Sequence, residues 1–184
     1  MSKEGKPLKG VELKLVSELM KNSKRSDREI AKVIGVSQPT ISRTMAKLEK
    51  EGVLREYTVI PDFRKIGYNL AAITLGNVRE DMRKPEKIDA ARREFVKNFD
   101  DVTFEIVLDV RGMGMEHDGA IFSFHKNYSE YADFRRRLMA QPFVDPSSLE
   151  SFIIDLNDKA HHRHFTLSYL AQHLLQTPNT RDET

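Results

Sequence analysis

Between Ser26 and Gly52 the chain places side chains whose chemistry is hydrogen bonding to the edges of bases. Gln38, Thr40, Ser42, Arg43 and Lys47 follow one another closely, with Pro39 among them. An arginine can fork onto guanine O6 and N7, a glutamine onto adenine, and a threonine can meet a thymine methyl group. These six residues form a candidate set for base or groove contact. Lys24, Arg25, Arg28, Ser37, Lys50 and Arg55 surround them and suit phosphate oxygens, which fix a protein on a duplex without reading its sequence.

Base readout needs a rigid element to carry it, and the local sequence supplies one. Ser26 and Glu29 make an S-x-x-E capping box that starts a short helix. Ile30, Val33 and Ile34 give that helix an apolar side, and Gly35 ends it where a left-handed residue is cheap. Val36 is positioned to plug the angle of the turn. Ser37 caps a second helix, with Pro39 in its first turn, where a missing N–H costs nothing. At 100° per residue Ile41, Met45 and Leu48 form an inward stripe, while Pro39, Arg43, Ala46 and Lys50 point outward. No acid lies on that outer face. Outer charge alone would suit any solvated helix; the short first helix, tight turn and matched caps favour a helix-turn-helix.

Composition bounds the remaining choices. With 184 residues, 39% hydrophobic and 32% charged, the chain suits one or two globular domains. No apolar run approaches the ~20 residues of a membrane span. The N-terminus lacks a signal-peptide core. There is no cysteine, which rules out disulfides, thiolate metal sites and cysteine nucleophiles. A cytosolic location is the expectation. Residues 1–68 carry 15 Lys and Arg against 9 Asp and Glu, and the remainder 15 against 19. A basic first part joined to an acidic second part fits nucleic-acid contact confined to the first.

In chain order, a basic arm leads into a helix over about Leu8 to Asn22, apolar on two sides and so expecting two packing partners. After Gly52 the alternation of Val53, Arg55, Tyr57 and Val59 with Leu54, Glu56, Thr58 and Ile60 predicts a wing-like strand. The second part reads as a strand over Asn69–Val78, a helix from Pro85 with Ile88, Ala91 and Phe95 on one face, and a strand over Val102–Val110. The loop RGMGMEHDG follows, then a strand over Ala120–His125, a helix capped by Ser129 with Tyr131, Phe134 and Leu138 inward, and a strand over Leu149–Leu156. The expectation is therefore an α+β chain: a winged helix-turn-helix domain at 1–60, a connector at 61–68, and a ferredoxin-like β-α-β-β-α-β domain at 69–157. A helical tail over 158–184 completes it. A sheet covered on one face leaves the other apolar, and a homodimer or larger homo-oligomer is the simplest way to cover it.

The run KRSDREIAKVIGVSQPTISRTMAKLEKEGVLREYTVIPDFRKIGY resembles the DNA-binding module of the Lrp/AsnC, or feast/famine, transcription regulators. Arg25, Ile30, Ala31, Gly35, Ser37, Thr40, Arg43, Gly52, Val53, Leu54, Arg55 and Tyr57 carry the likeness, with Ile66, Gly67 and Tyr68 closing it. Four residues separate Arg43 from Leu48, one more than the family spacing, and helical phase keeps Leu48 on the inward stripe. The order of the two modules extends the resemblance over about residues 8–156. It implies a sequence-specific, dimeric regulator of double-stranded DNA, with an amino acid or other small effector bound by the second module.

The sequence departs from that pattern in two places. The family carries a compact G-x-x-D near the effector site, whereas here Asp118 follows Gly114 by four positions; Gly112, Gly114 and Asp118 are the effector candidates, against a flexible hairpin loop. The tail is longer than the family minimum and holds His161, His162, His164 and His173. Neighbouring histidines one and two apart cannot share a helix face and no carboxylate pair completes a set, so no metal or other cofactor is expected. A DNA-organising protein without effector response is the alternative reading. An enzyme is a third, since related two-module architectures occur in haem-pathway decarboxylases and the loop with His117 and His125 could line a pocket, but no nucleophile–base pair or phosphate-binding loop supports it.

Overall fold

The computed structural model describes residues 8, 10–84, 86–87, 89–90, 93, 105–158 and 165–176. Its elements are α1 (Val11–Lys21), α2 (Asp27–Ile34), α3 (Gln38–Lys50), β1 (Leu70–Gly76), β2 (Ile106–Gly114), β3 (His117–His125), α4 (Tyr128–Met139), β4 (Glu150–Asp155) and α5 (Ser168–Gln176). They form two compact units, Met1–Ile60 with Arg163–Thr184, and Pro61–His162.

The first unit has a small core in which Leu15, Ile30, Ile41 and Leu48 are fully buried, with Leu19 and Ala31 beside them. Val36 and Met45 pack partly against it, so the turn residue and the inward stripe of α3 do what their phase requires. The capping box of α2 is formed on both sides: the Ser26 hydroxyl accepts from Glu29 N–H, and Glu29 Oε2 accepts from Ser26 N–H at 2.7 Å. The Ser26 N–H and the Ser26 hydroxyl, each donating to Glu29 Oε2 at 2.7 Å, hold the Glu29 carboxyl below its usual range. Gly35 closes α2 in the left-handed conformation at φ 83°, which only glycine adopts freely.

The second side of α1 faces α5. Ser17 is fully buried and its hydroxyl donates to the Ala171 carbonyl at 2.8 Å, while Ala171 is itself fully buried. The two-sided apolarity of α1 is thus met within one chain, by a helix 154 residues later. The other tail positions expected to be helical, 161–164, lie outside the described residues.

No strand forms over Val53–Ile60, so the expected wing strand is absent from the described chain. A strand requires a hydrogen-bonded neighbour, and among the described residues no strand pairs with this segment. Val53, Tyr57, Val59 and Ile60 are left exposed. Tyr57 instead folds back toward the helices and donates to Glu49 Oε1 at 2.8 Å. Loss of water around the hydroxyl, the bond to Glu49 and the charge of Asp27 push it up to about 12.

The second unit is a four-stranded antiparallel sheet in the order β2-β3-β1-β4, the strand order of a ferredoxin-like fold. Its core of Ala72, Ile121, Tyr131, Phe134, Leu138, Val144 and Leu149 lies between the sheet and α4. Asn127, two residues before Ser129, caps α4: its Oδ1 accepts from Glu130 N–H at 3.0 Å. Of the helix expected from Pro85, Glu86, Lys87, Asp89, Ala90 and Arg93 are helical; Pro85, Ile88, Ala91 and Phe95 lie outside the described residues, as do residues 102–104 of the expected second strand.

The segment expected to be a loop, RGMGMEHDG, is mostly strand. β2 runs through Gly114 and β3 starts at His117, joined by Met115 and Glu116 at φ 53° and 63°. Two successive positive φ values match the right-handed twist of the hairpin, which lets the strands continue to the turn. A second correction concerns faces. Ile106 pairs with Ser123 but Leu108 pairs with Phe122, so Val107 is an extra residue that reverses the alternation of β2. Ile106 faces the core, Leu108 and Val110 turn to the open face, and Asp109 and Arg111 turn to the face that α4 covers.

Candidate nucleic-acid interface and effector cleft

α3 presents the expected equipment on one exposed surface. Ser37 caps it, its Oγ accepting from Thr40 N–H at 3.3 Å and lying 2.8 Å from Thr40 Oγ1. That pair commits the Thr40 hydroxyl locally and fixes its side chain. Gln38, Pro39, Thr40, Ser42, Arg43, Lys47 and Lys50 are all exposed. Among the described residues the side chains of Gln38, Arg43, Lys50, Arg28 and Arg55 have no hydrogen bond or ion pair.

Three other candidates are already engaged. Lys47 donates to Glu12 of α1 and lies 3.9 Å from Glu51, and the bond to Glu12 raises its pKa. Arg25 pairs with Glu18, a nearly buried carboxylate that Lys21 also holds at 2.6 Å. Arg25 therefore ties α1 to the start of α2 before it can meet a phosphate. Ser42 Oγ donates its one proton to Asp27, with the Gln38 carbonyl as a second acceptor 3.2 Å away. Sequence phase finds no acid on the outer face of α3, yet Asp27 and Glu12 bring carboxylates to its edges from the neighbouring helices. Only the packing angle between helices reveals that. Lys24 is exposed in the turn between α1 and α2.

In the second unit a cleft of about 100 Å³ opens between the sheet and the end of α4. Leu138, Phe143, Val144 and Leu149 supply apolar walls, and Thr74, Asp109, Arg111 and Asp118 supply polar groups. Asp118 is the one sequence candidate that lines it. Its Oδ1 accepts from Val78 N–H at 3.0 Å and its own N–H donates to Asn77 Oδ1 at 2.9 Å, stapling β3 to the exit of β1. Gly112 and Gly114 lie further out along the hairpin and do not line the cleft. Asp109 and Arg111, which sequence reading assigned no role, do.

His117 and His125, the pair an enzyme would need, do not converge. His125 is fully buried, with Nε2 2.8 Å from Ser123 Oγ and its ring against Tyr131 and Phe134. Burial pushes its pKa down, with Glu105 and Glu130 opposing and Arg137 adding. His117 lies 3.6 Å from Glu150. Among the described residues no group of three His, Cys, Asp or Glu could hold a metal ion, and no helix is long and apolar enough to cross a membrane.

Comparison with known proteins agrees with this geometry. Residues 8–55 match a model of winged helix-turn-helix DNA-binding domains. Bacillus subtilis LrpC superposes with a TM-score of 0.65 at 19% identity, covering 86% of this chain and all of LrpC. An HTH-type transcriptional regulator of Pyrococcus abyssi is 31% identical over 136 residues, 73% of this chain and 84% of that regulator. The chain belongs to the Lrp/AsnC family. Other curated HTH-type transcriptional regulators from Pyrococcus match more locally: the chain spans about half the length of a second Pyrococcus abyssi regulator, which is 35% identical over 80 residues. A transcriptional regulator from Neisseria meningitidis, solved as a complex with L-Met, shares the fold at a TM-score of 0.67 and 18% identity over 89% of this chain.

Proposed function

We propose that this Lrp/AsnC-family transcription regulator reads a specific duplex with α3 in the major groove, as a homodimer or larger homo-oligomer. The observation that carries the reading is the uncommitted, exposed Arg43 on a helix anchored by Ser37 at its start and by Ile41 and Leu48 beneath. Gln38, Pro39, Thr40 and Ser42 sit at the N-terminal end of α3, the part of a recognition helix that meets base edges. Lys24, Arg28, Lys50 and Arg55 hold phosphates beside it, and Lys47 joins them by exchanging Glu12 for a phosphate oxygen.

The open face of the sheet supplies the reason for a second copy. Phe152, Ile73 and Leu108 lie in one row across it and are all exposed, with Val110 beside them. A two-fold contact through a sheet face of this kind is isologous, and it sets two recognition helices against half-sites ~34 Å apart on a roughly palindromic operator. An amino acid is the effector class that the Neisseria complex suggests for this chain. A cytosolic location goes with this reading, and no catalytic step is assigned to any residue.

The deciding experiment is binding to the gene's own upstream duplex and to a shuffled duplex across a salt series. Preference for the upstream duplex that survives rising salt supports specific readout. Equal binding that falls steeply with salt would make phosphate contact dominant and leave a DNA-organising protein. No binding to either would overturn the regulator reading for this chain.

A further inference from the structure

We infer that Asp27 sets the hydrogen-bonding polarity of Ser42, so that the Ser42 hydroxyl reads an amino base, adenine or cytosine, and rejects guanine and thymine. The inference rests on the reading of α3 as a recognition helix and names one element of its specificity. A serine hydroxyl has one proton and two lone pairs. The Ser42 proton goes to Asp27 Oδ2, 15 residues earlier in the chain, and the Gln38 carbonyl is a second acceptor at 3.2 Å. A carboxylate brings no proton of its own, and neither does a carbonyl. Both groups that Ser42 bonds therefore draw on its proton, and Ser42 Oγ is left as an acceptor toward anything outside.

The position suits a contact with base edges. Ser42 is exposed in the N-terminal half of α3, the end of a recognition helix that meets the bases. Ala46, one turn further on, is exposed too, so no long side chain there holds the helix away from the groove. Asp27 is equally well fixed. It is the first residue of α2, directly after the Ser26 cap, whose N–H and hydroxyl both donate to Glu29 at 2.7 Å. In the major groove adenine N6 and cytosine N4 offer protons, whereas guanine O6 and thymine O4 offer lone pairs. An oxygen that has given its proton away bonds the first two and repels the last two. To meet guanine or thymine the hydroxyl must turn and withdraw its proton from Asp27, which leaves a carboxylate oxygen short of a partner. Thr40 lacks this bias, because in its contact with Ser37 Oγ at 2.8 Å either hydroxyl can donate.

The test uses duplexes that the full chain selects from a random pool, with each base pair then changed in turn. Affinities are measured for the native protein, Ser42→Ala and Asp27→Asn. The native protein should prefer adenine or cytosine over guanine or thymine by about fivefold at one position of each half-site. Ser42→Ala should lose that preference and keep those at other positions. Asp27→Asn keeps the shape of the side chain and loses the charge that holds the proton. It should bind the guanine and thymine duplexes about threefold more tightly relative to the adenine and cytosine ones. A relative gain on the disfavoured bases is something that mere loosening of the helix packing does not produce. An equal gain on every duplex would overturn the inference, because Asp27 would then act only as a charge near the phosphates. Base preferences unchanged in either variant would also overturn it, and would leave the regulator reading standing. A random pool that yields no enriched sequence would overturn both.

Discussion

Replacing Phe134 with alanine should melt one unit of this molecule and not the other. Phe134 is fully buried at the centre of the sheet unit, between Ala72, Ile121, Tyr131 and Leu138, and its ring lies 5.1 Å from that of His125. Removing a buried phenyl group loses its transfer free energy and leaves a cavity, at about 3–5 kcal/mol. The unit comprises roughly 100 residues, Pro61–His162. At about 2.1 cal/mol/K of unfolding entropy per residue, that loss lowers its melting midpoint by about 15–25 °C. The core of the first unit, Leu15, Ile30, Ile41 and Leu48, contains no atom of Phe134 or its neighbours. Scanning calorimetry should therefore show a moved transition and a fixed one. Limited proteolysis at intermediate temperature should leave the helix-turn-helix fragment intact. Two transitions that shift together by the same amount would refute the reasoning, because the units would then unfold as one cooperative body.

Arg43→Ala should cost about 1–3 kcal/mol per half-site, roughly 5–150-fold, and relax preference at one base pair in a panel of operator variants; uniform weakening on every duplex would reassign it to a phosphate. Lys47→Gln removes one of the proposed phosphate contacts and should flatten the salt dependence of DNA binding by about 0.9 per half-site, read from log–log plots of affinity. An unchanged slope would show that Lys47 never reaches the backbone. His125 resists protonation when folded, whereas the unfolded chain takes up a proton near pH 6.5. Its contribution to stability is thus complete above that pH and falls as pH drops through 6.5 toward the depressed folded value. Urea titrations between pH 8 and 5 should show that fall, reduced in His125→Gln. Glu116→Gly relieves a left-handed residue at the hairpin turn and should raise the stability of the sheet unit by about 1 kcal/mol, measured by urea unfolding.

The helix-turn-helix was legible because each of its signals is local. Ser26 with Glu29, Gly35, Ser37 and Pro39 act within four residues of themselves, so the sequence states their roles without help from the rest of the chain. The strand order of the second unit was legible from the succession of elements. What escaped depends on partners distant in sequence. Val53–Ile60 alternates like a strand, but alternation cannot show whether a neighbouring strand exists. One inserted residue at Val107 exchanges the two faces of β2, and no composition rule marks it. The turn at Met115 and Glu116 uses left-handed residues where Asn-Gly would have announced it. The lining of the cleft follows the same rule: Gly112 and Gly114 lie outside it, whereas Asp109 and Arg111 reach it through a register shift.

The pairing of α1 with α5 bears on how the molecule is made. Ser17 and Ala171 are joined by a buried hydrogen bond across 154 residues, and every strand of the sheet lies between them in the chain. During synthesis α1, α2 and α3 emerge first, and their shared core can close early. The outer side of α1, with Ser17 facing water, stays uncovered until the whole sheet unit has been translated. A nascent chain therefore holds a nearly complete DNA-reading surface on a scaffold still missing one wall. Such an order of assembly delays full rigidity of the reading head until the sheet unit already exists, and it exposes α1 to chaperones for most of translation.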